Sequence, residues 1–229
     1  MKLFNFSTLA LAATCAVSFA QQPADAGNKL QAIVKFDKER PTLLTLDSAN
    51  GSSFQYTGQQ GALQGDAAKC KVFVIQTPAE LAEGINLHAA RNYKAARNKL
   101  AACKNKYMGY NGLPGNPSLQ AALIELQCAV AQQDWAALKD MTAKFPAKGL
   151  DKAEVNNLVM VNAAKLLAAI SDDAAEGAKL ADAATKLLGN NAVKQVDGRV
   201  YGWIKYALGR GLAAQVPADQ VKNRAITPE

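Results

Sequence analysis

Apolar residues recur at every second position near the start of the chain and at every third or fourth position later. The order is therefore strands first, then helices. Leu30, Ala32, Val34 and Phe36 alternate with Gln31, Ile33 and Lys35, the pattern of a strand with one apolar face. Arg40-Pro41 interrupts it, and Thr42 to Leu46 reads as a second strand. Asp47 to Gly51 ends in an Asn-Gly pair that accepts positive φ and marks a turn. Phe54 and Tyr56 mark a third strand, and Gly58 to Gly65 is loop-like with room for a short strand around Leu63. Lys71 to Gln76 is apolar at successive positions, as expected of a strand packed on both faces. Residues 29–76 thus form a small antiparallel β-module, a curled sheet or partly open barrel.

Thr77-Pro78 closes this segment, and proline is tolerated in the first turn of a helix. Helical periodicity then predicts helices over Ala79–Ala90, Tyr93–Tyr107, Ser118–Gln132, Asp134–Phe145, Lys152–Ile170, Asp172–Leu188 and Val193–Ala213. Ser118 and Ser171 stand where N-caps belong, and Gly109, Gly149 and Gly189 lie just beyond helix ends. In the last helix Val200, Ile204, Ala207 and Leu212 are expected to point inward. Residues 215–229, with Pro217 and Pro228, read as a tail. The fold class is α+β, mostly α.

Two helix pairs share a pattern. Gly84 and Leu87 share a face, Arg91-Asn92 makes a polar turn, and Tyr93, Ala96, Leu100 and Cys103 form the stripe of the next helix. Leu126, Ala129, Asp134-Trp135, Leu138 and Phe145 repeat that layout, with Tyr93 and Trp135 lying 42 residues apart. This small–large alternation resembles the tetratricopeptide (TPR) repeat, whose period is about 34 residues. The longer spacing is absorbed by Gly109 to Pro117, a connector between hairpins that offers Tyr107, Tyr110 and Leu113 for contact with a partner. Leu126 and Leu138 stand where the family has small residues, so the second pair should pack more widely. The early tryptophan of the family is missing from both hairpins. Residues 77–214 are read as a TPR-like α-solenoid of helical hairpins, with a plain helical bundle as the alternative.

The first twenty residues carry the marks of a signal peptide. Lys2 precedes an apolar run from Leu3 to Val17, and Ser18-Phe19-Ala20 presents small residues at the processing positions. An uncleaved anchor is the alternative, but the run falls short of the roughly 20 residues that span a bilayer. Thr14 and Ala12-Ala13 before Cys15 make a poor lipoprotein site. Residues 21–28 are then a linker, and export to the periplasm, or beyond the cell, is expected. The later chain offers no membrane span. Cys70, Cys103 and Cys128 remain after processing, an odd number, and are expected as reduced thiols acting as small apolar side chains.

No constellation for catalysis, cofactor or metal stands out. His88 is the single histidine, with no serine, cysteine or carboxylate in hairpin register. Gly109, Gly112 and Gly115 follow a helix rather than a strand and lack the Gly-Lys-Ser/Thr of a phosphate loop. The formal charge is +7. Six cations, Arg91, Lys94, Arg97, Lys99, Lys104 and Lys106, occur with no acid between Glu83 and Glu125. Lys94, Arg97 and Lys104 are expected on one outward stripe, either a solvated face or an attachment site for anionic lipid or polysaccharide. Nucleic acid is not expected, because no aromatic stacking array accompanies the charges.

The TPR resemblance implies that the first helix of each hairpin lines a concave groove. Leu81, Ile85 and His88, with Gln120, Leu123, Gln127 and Val130, are then the residues expected to hold a protein or peptide partner in the cell envelope. Processing itself is directly measurable. Intact-mass analysis of envelope-fraction protein should give a chain that begins at Gln21, whereas the full-length mass or a lipid-modified Cys15 would contradict the signal-peptide reading.

Overall fold

The computed structural model describes residues 29–37, 40–145, 155–217 and Gln220. The signal-peptide and linker assignments, Gly149, the expected start of the fifth helix at Lys152 and the end of the tail fall outside these residues. Five antiparallel strands come first: β1 (Leu30–Lys35), β2 (Thr42–Asn50), β3 (Ser53–Gly58), β4 (Gly61–Asp66) and β5 (Val72–Ile75). Their order is β4-β3-β2-β1-β5, so β4 and β5 are edges and the sheet does not close into a barrel. Leu63 belongs to a full strand rather than to a loop, because Gly58 and Gly61 pair across a tight turn. β5 corrects the expectation of a strand packed on both faces. It is an edge strand, and Val74 is 53 % exposed.

Among the described residues seven helices follow: α1 (Ala79–Ala89), α2 (Tyr93–Lys106), α3 (Pro117–Ala131), α4 (Trp135–Ala143), α5 (Val155–Ala168), α6 (Ala174–Leu188) and α7 (Gly198–Ala213). The fold is α+β and mostly helical, as the periodicities require. α1 packs on α2, α2 on α3, and α3 on α1, α4 and α5, an order of neighbours that stacks hairpins along the chain. α7 then packs against α5 and α6. Gly177 and Gly211 let α6 and α7 cross closely, since a Cβ on Gly211 would lie 2.7 Å from the Gly177 carbonyl oxygen.

Capping differs in detail from the serine assignments. Asn116 caps α3, its Oδ1 accepting from the Leu119 N–H at 2.7 Å, while Ser118 is buried and donates to the Lys104 carbonyl. Asp173 rather than Ser171 caps α6 by accepting from Ala175 and Glu176. Asn and Asp reach the N–H groups of the first turn as well as serine does, and they stand nearer these helix starts. α7 begins at Gly198 behind the Asp197 cap, and Asn191–Gln195 forms a separate 3-10 turn. Leu212, expected inward, is 53 % exposed, because Gly211 takes the buried position at the α6 crossing.

The connector between the hairpins is where the structure departs most from the sequence reading. Tyr107, Tyr110 and Leu113 are buried, not offered to a partner. They join Leu30, Val34, Leu46 and Phe54 of the sheet and Leu81, Leu100 and Cys103 of the first hairpin in one core. The Tyr110 hydroxyl donates to the Leu46 carbonyl at 3.0 Å, bonding the connector to β2. Gly112 meets the β2–β3 turn backbone to backbone, and a Cβ there would lie 2.5 Å from Gly51.

Two substitutions test this clamp. Gly112→Ala should cost about 1–3 kcal/mol in denaturant unfolding, because neither backbone can yield, whereas Gly109→Ala, which meets nothing within 4 Å, should be tolerated. Tyr110→Phe should cost about 0.5–1.5 kcal/mol by removing the hydrogen bond that joins the connector to the Leu46 carbonyl.

Candidate functional site

The two hairpin turns share most of their backbone hydrogen bonds at the 42-residue offset. Asn92 N–H donates to the Leu87 carbonyl and Asp134 N–H to the Ala129 carbonyl, at 2.9 and 3.0 Å. Arg91 and Gln133 each adopt a left-handed conformation, with φ of 60° and 55°. Each is followed by an N-cap, Asn92 accepting from Ala95 and Asp134 from Ala137. Arg91 N–H donates to His88 and Gln133 N–H to Val130 in the same way. The turns that precede Tyr93 and Trp135 thus share one backbone geometry.

Arg97 ties the two units together. Its Nη1 donates to Asp134 Oδ2 at 2.7 Å and to Gln132 Oε1 at 3.1 Å, so α2 of the first hairpin grips the turn of the second. That bond, and the Ala137 N–H, hold the Asp134 carboxyl below its ordinary value of 3.8. Three other cations of the acid-free run are similarly engaged. Lys104 Nζ lies 2.5 Å from the buried Glu125 carboxylate, Lys106 bonds Glu80 at 2.6 Å, and Lys99 pairs with Glu83 at 2.9 Å. The outward stripe expected of Lys94, Arg97 and Lys104 is therefore corrected. Helical spacing along one element could not reveal that α1, α3 and α4 supply the missing acids. Only Lys94 of the three stays exposed with no such pair among the described residues.

The expected groove residues separate into two groups. Leu81 and Leu123 are buried, and Val130 packs with the second core, so these three hold helices together. Gln120 donates back to the Gly115 carbonyl, and Gln127 Nε2 lies 3.5 Å from Met160 Sδ of α5. Ile85 is 38 % exposed, and the half-buried His88 ring packs 5.7 Å from Tyr93. Desolvation, with Arg199 as a second cause, lowers the basicity of His88 below its ordinary value. Beside that half-buried ring α1 presents Glu83, Ile85 and Asn86 to solvent, so its exposed face is mixed.

One concavity was not read from the sequence. Leu126 and Leu138 are both fully buried where small residues would allow closer contact. Beside them a cleft of about 310 Å³ opens over α3, floored by Ala122 and Leu126 and walled by Met108, Met141 and Phe145. Met108, which lines it, is 54 % exposed between the buried Tyr107 and Tyr110.

Cys70, Cys103 and Cys128 are free, and burial pushes the Cys103 and Cys128 thiols up to about 11. Among the described residues no group of three or more His, Cys, Asp or Glu side chains could hold a metal ion. No described helix is long and apolar enough to cross a membrane. Comparison with protein-family models, curated proteins and solved structures finds no match for the chain.

Two measurements check this electrostatic picture. Native protein should present Cys70 alone of Cys70, Cys103 and Cys128 to an aromatic disulfide reagent near pH 8, with the other two reacting only after unfolding. The stability that Asp134 gains from Arg97 is complete above its unfolded value and is lost as pH falls through the lower folded value. Asp134→Asn, which keeps a capping oxygen, should therefore flatten the acid limb of the stability–pH profile while costing about 1 kcal/mol or less near neutrality.

Proposed function

We propose that this protein is a non-catalytic interaction scaffold of the cell envelope, exported through its first twenty residues. In this reading it binds an extended or helical peptide on the solvent face of α1 and α3. The carrying observation is the hairpin turn repeated at 42 residues and welded by Arg97. Such repetition makes a preformed surface from successive helices, and a surface that does not reorganise on binding loses less entropy. The resemblance to TPR proteins supports the same reading, since their first helices line the groove.

Exposure narrows the contact set to Ile85 and His88, with Gln127 reachable if its amide leaves Met160. The other expected residues act as framework. Attachment through the basic stripe receives less support, because Arg97 and Lys104 already bond acids on neighbouring helices. An added polyanion would have to compete with those short bonds.

Ile85→Glu is the decisive variant, since the side chain is exposed and the change leaves the core intact. Quantitative capture from envelope extract should lose its specific partners with Ile85→Glu and keep them with Lys94→Glu. Equal recovery by both variants and the parent would refute the groove, and loss with Lys94→Glu or with moderate salt would favour the charged surface.

A further inference from the structure

The sheet carries a surface that the proposed groove does not use. Antiparallel register fixes which residues share a face, because directly opposite residues point the same way. Leu30, Ala32 and Val34 are buried and face the helices, so Ile33 lies on the outer face. Ile33 stands opposite Leu43 on β2 and opposite Val74 on β5. Leu43, Ile33 and Val74 therefore form an aliphatic row across three strands, ending at the free edge with Val74 more than half exposed.

The same register shows which backbone groups of β5 are unused. Gln76 N–H donates to the carbonyl of Gln31 directly opposite it, so Gln76, Val74 and Val72 turn their backbone groups toward β1. Phe73 and Ile75 turn theirs away, and among the described residues no strand pairs on that side. Natural edges are commonly blunted by a charge or proline within the strand. Val72-Phe73-Val74-Ile75 has neither, and its residues have high strand propensity. The opposite edge, β4, is glycine-containing and polar by comparison.

We infer that β5 is a self-pairing edge, and that two copies of this chain join through antiparallel β5 strands about a twofold axis at Val74. Three features of the strand agree with that one register. With Val74 opposite Val74 of the second copy, Phe73 falls opposite Ile75, and these are the two residues whose N–H and carbonyl groups are free. Val74 then occupies a non-hydrogen-bonded pair, where Cα atoms approach to about 4.5 Å and side chains meet most closely. The row Leu43, Ile33, Val74 continues without a break into Val74, Ile33, Leu43 of the second copy. Charge is also compatible, because Lys71 falls opposite Thr77 and not opposite itself. A four-residue strand pair is a small interface, so the dimer is expected to be reversible and concentration-dependent.

Cysteine cross-linking tests the register as well as the association. In a Cys15→Ser, Cys70→Ser background, Val74→Cys places two thiols across the axis at a Cα separation within the roughly 4.4–6.8 Å range of disulfides. Val72→Cys separates its two copies by about four residues, near 14 Å, beyond that range. Mild oxidation with diamide should yield a covalent dimer from Val74→Cys and none from Val72→Cys. Sedimentation of the parent chain should show a monomer–dimer equilibrium from low micromolar to near-millimolar concentration, abolished by Val74→Lys. A parent that stays monomeric across that range, or equal cross-linking of the two cysteine variants, overturns the inference. So does a β5 edge that takes up a foreign extended peptide while the chain remains monomeric. The Ile85→Glu variant should dimerise normally, which separates this surface from the groove.

Discussion

The architecture depends on burying α3 on nearly every side. Ten of its fifteen residues are buried, among them Leu119, Leu123 and Leu126 toward α4 and α5, and Ala121 and Cys128 toward the sheet-side core. A helix enclosed this way keeps little solvated surface, and its only charged residue, Glu125, must be neutralised where it stands. Lys104 meets that requirement from α2. The small residues Ala121, Ala122 and Ala129 let neighbours approach, and the leucines fill what is left. Because α3 belongs to both the sheet-side core and the helical core, neither hairpin stack nor sheet is an independent unit.

Periodicity made most elements legible. Alternation at Leu30, Ala32 and Val34 gave β1, and the stripe of Ala96, Leu100 and Cys103 gave the buried face of α2. The repeat at Tyr93 and Trp135 was visible because the turn that precedes them needs an Asn or Asp cap in both places. What stayed hidden was non-local. Val72 to Ile75 looked like a central strand because an edge position depends on which strands find partners, and periodicity along one segment carries no such information. Tyr110 and Leu113 looked like surface in a glycine- and proline-rich connector, since their burial depends on a sheet more than sixty residues earlier.

The candidate site was legible in the same uneven way. Helical phase located Ile85 and His88 on a solvent-facing side of α1, but it could not separate them from Leu81, which the sheet covers. Gln120 and Gln127 face a groove by phase alone, yet their amides bond a connector carbonyl and a methionine of α5. The basic stripe misled for a related reason. A run without acids in sequence became a set of ion pairs in space, because Glu80, Glu83, Glu125 and Asp134 stand on the helices and turns that flank α2.

The Tyr110 clamp also orders the assembly of the molecule in time. The hairpin turns close through bonds between residues a few positions apart, such as Asn92 to Leu87, so they form with little loss of chain entropy. The bond from Tyr110 to Leu46 spans 64 residues and closes only when the connector meets β2. Local closures of this kind precede distant ones. The strands emerge first from the ribosome, yet the sheet acquires its final seat last, when the connector behind α2 arrives to cover it. Until then the inner face around Phe54 is bare, and the chain passes through a stage in which its most buried aromatic ring has no cover.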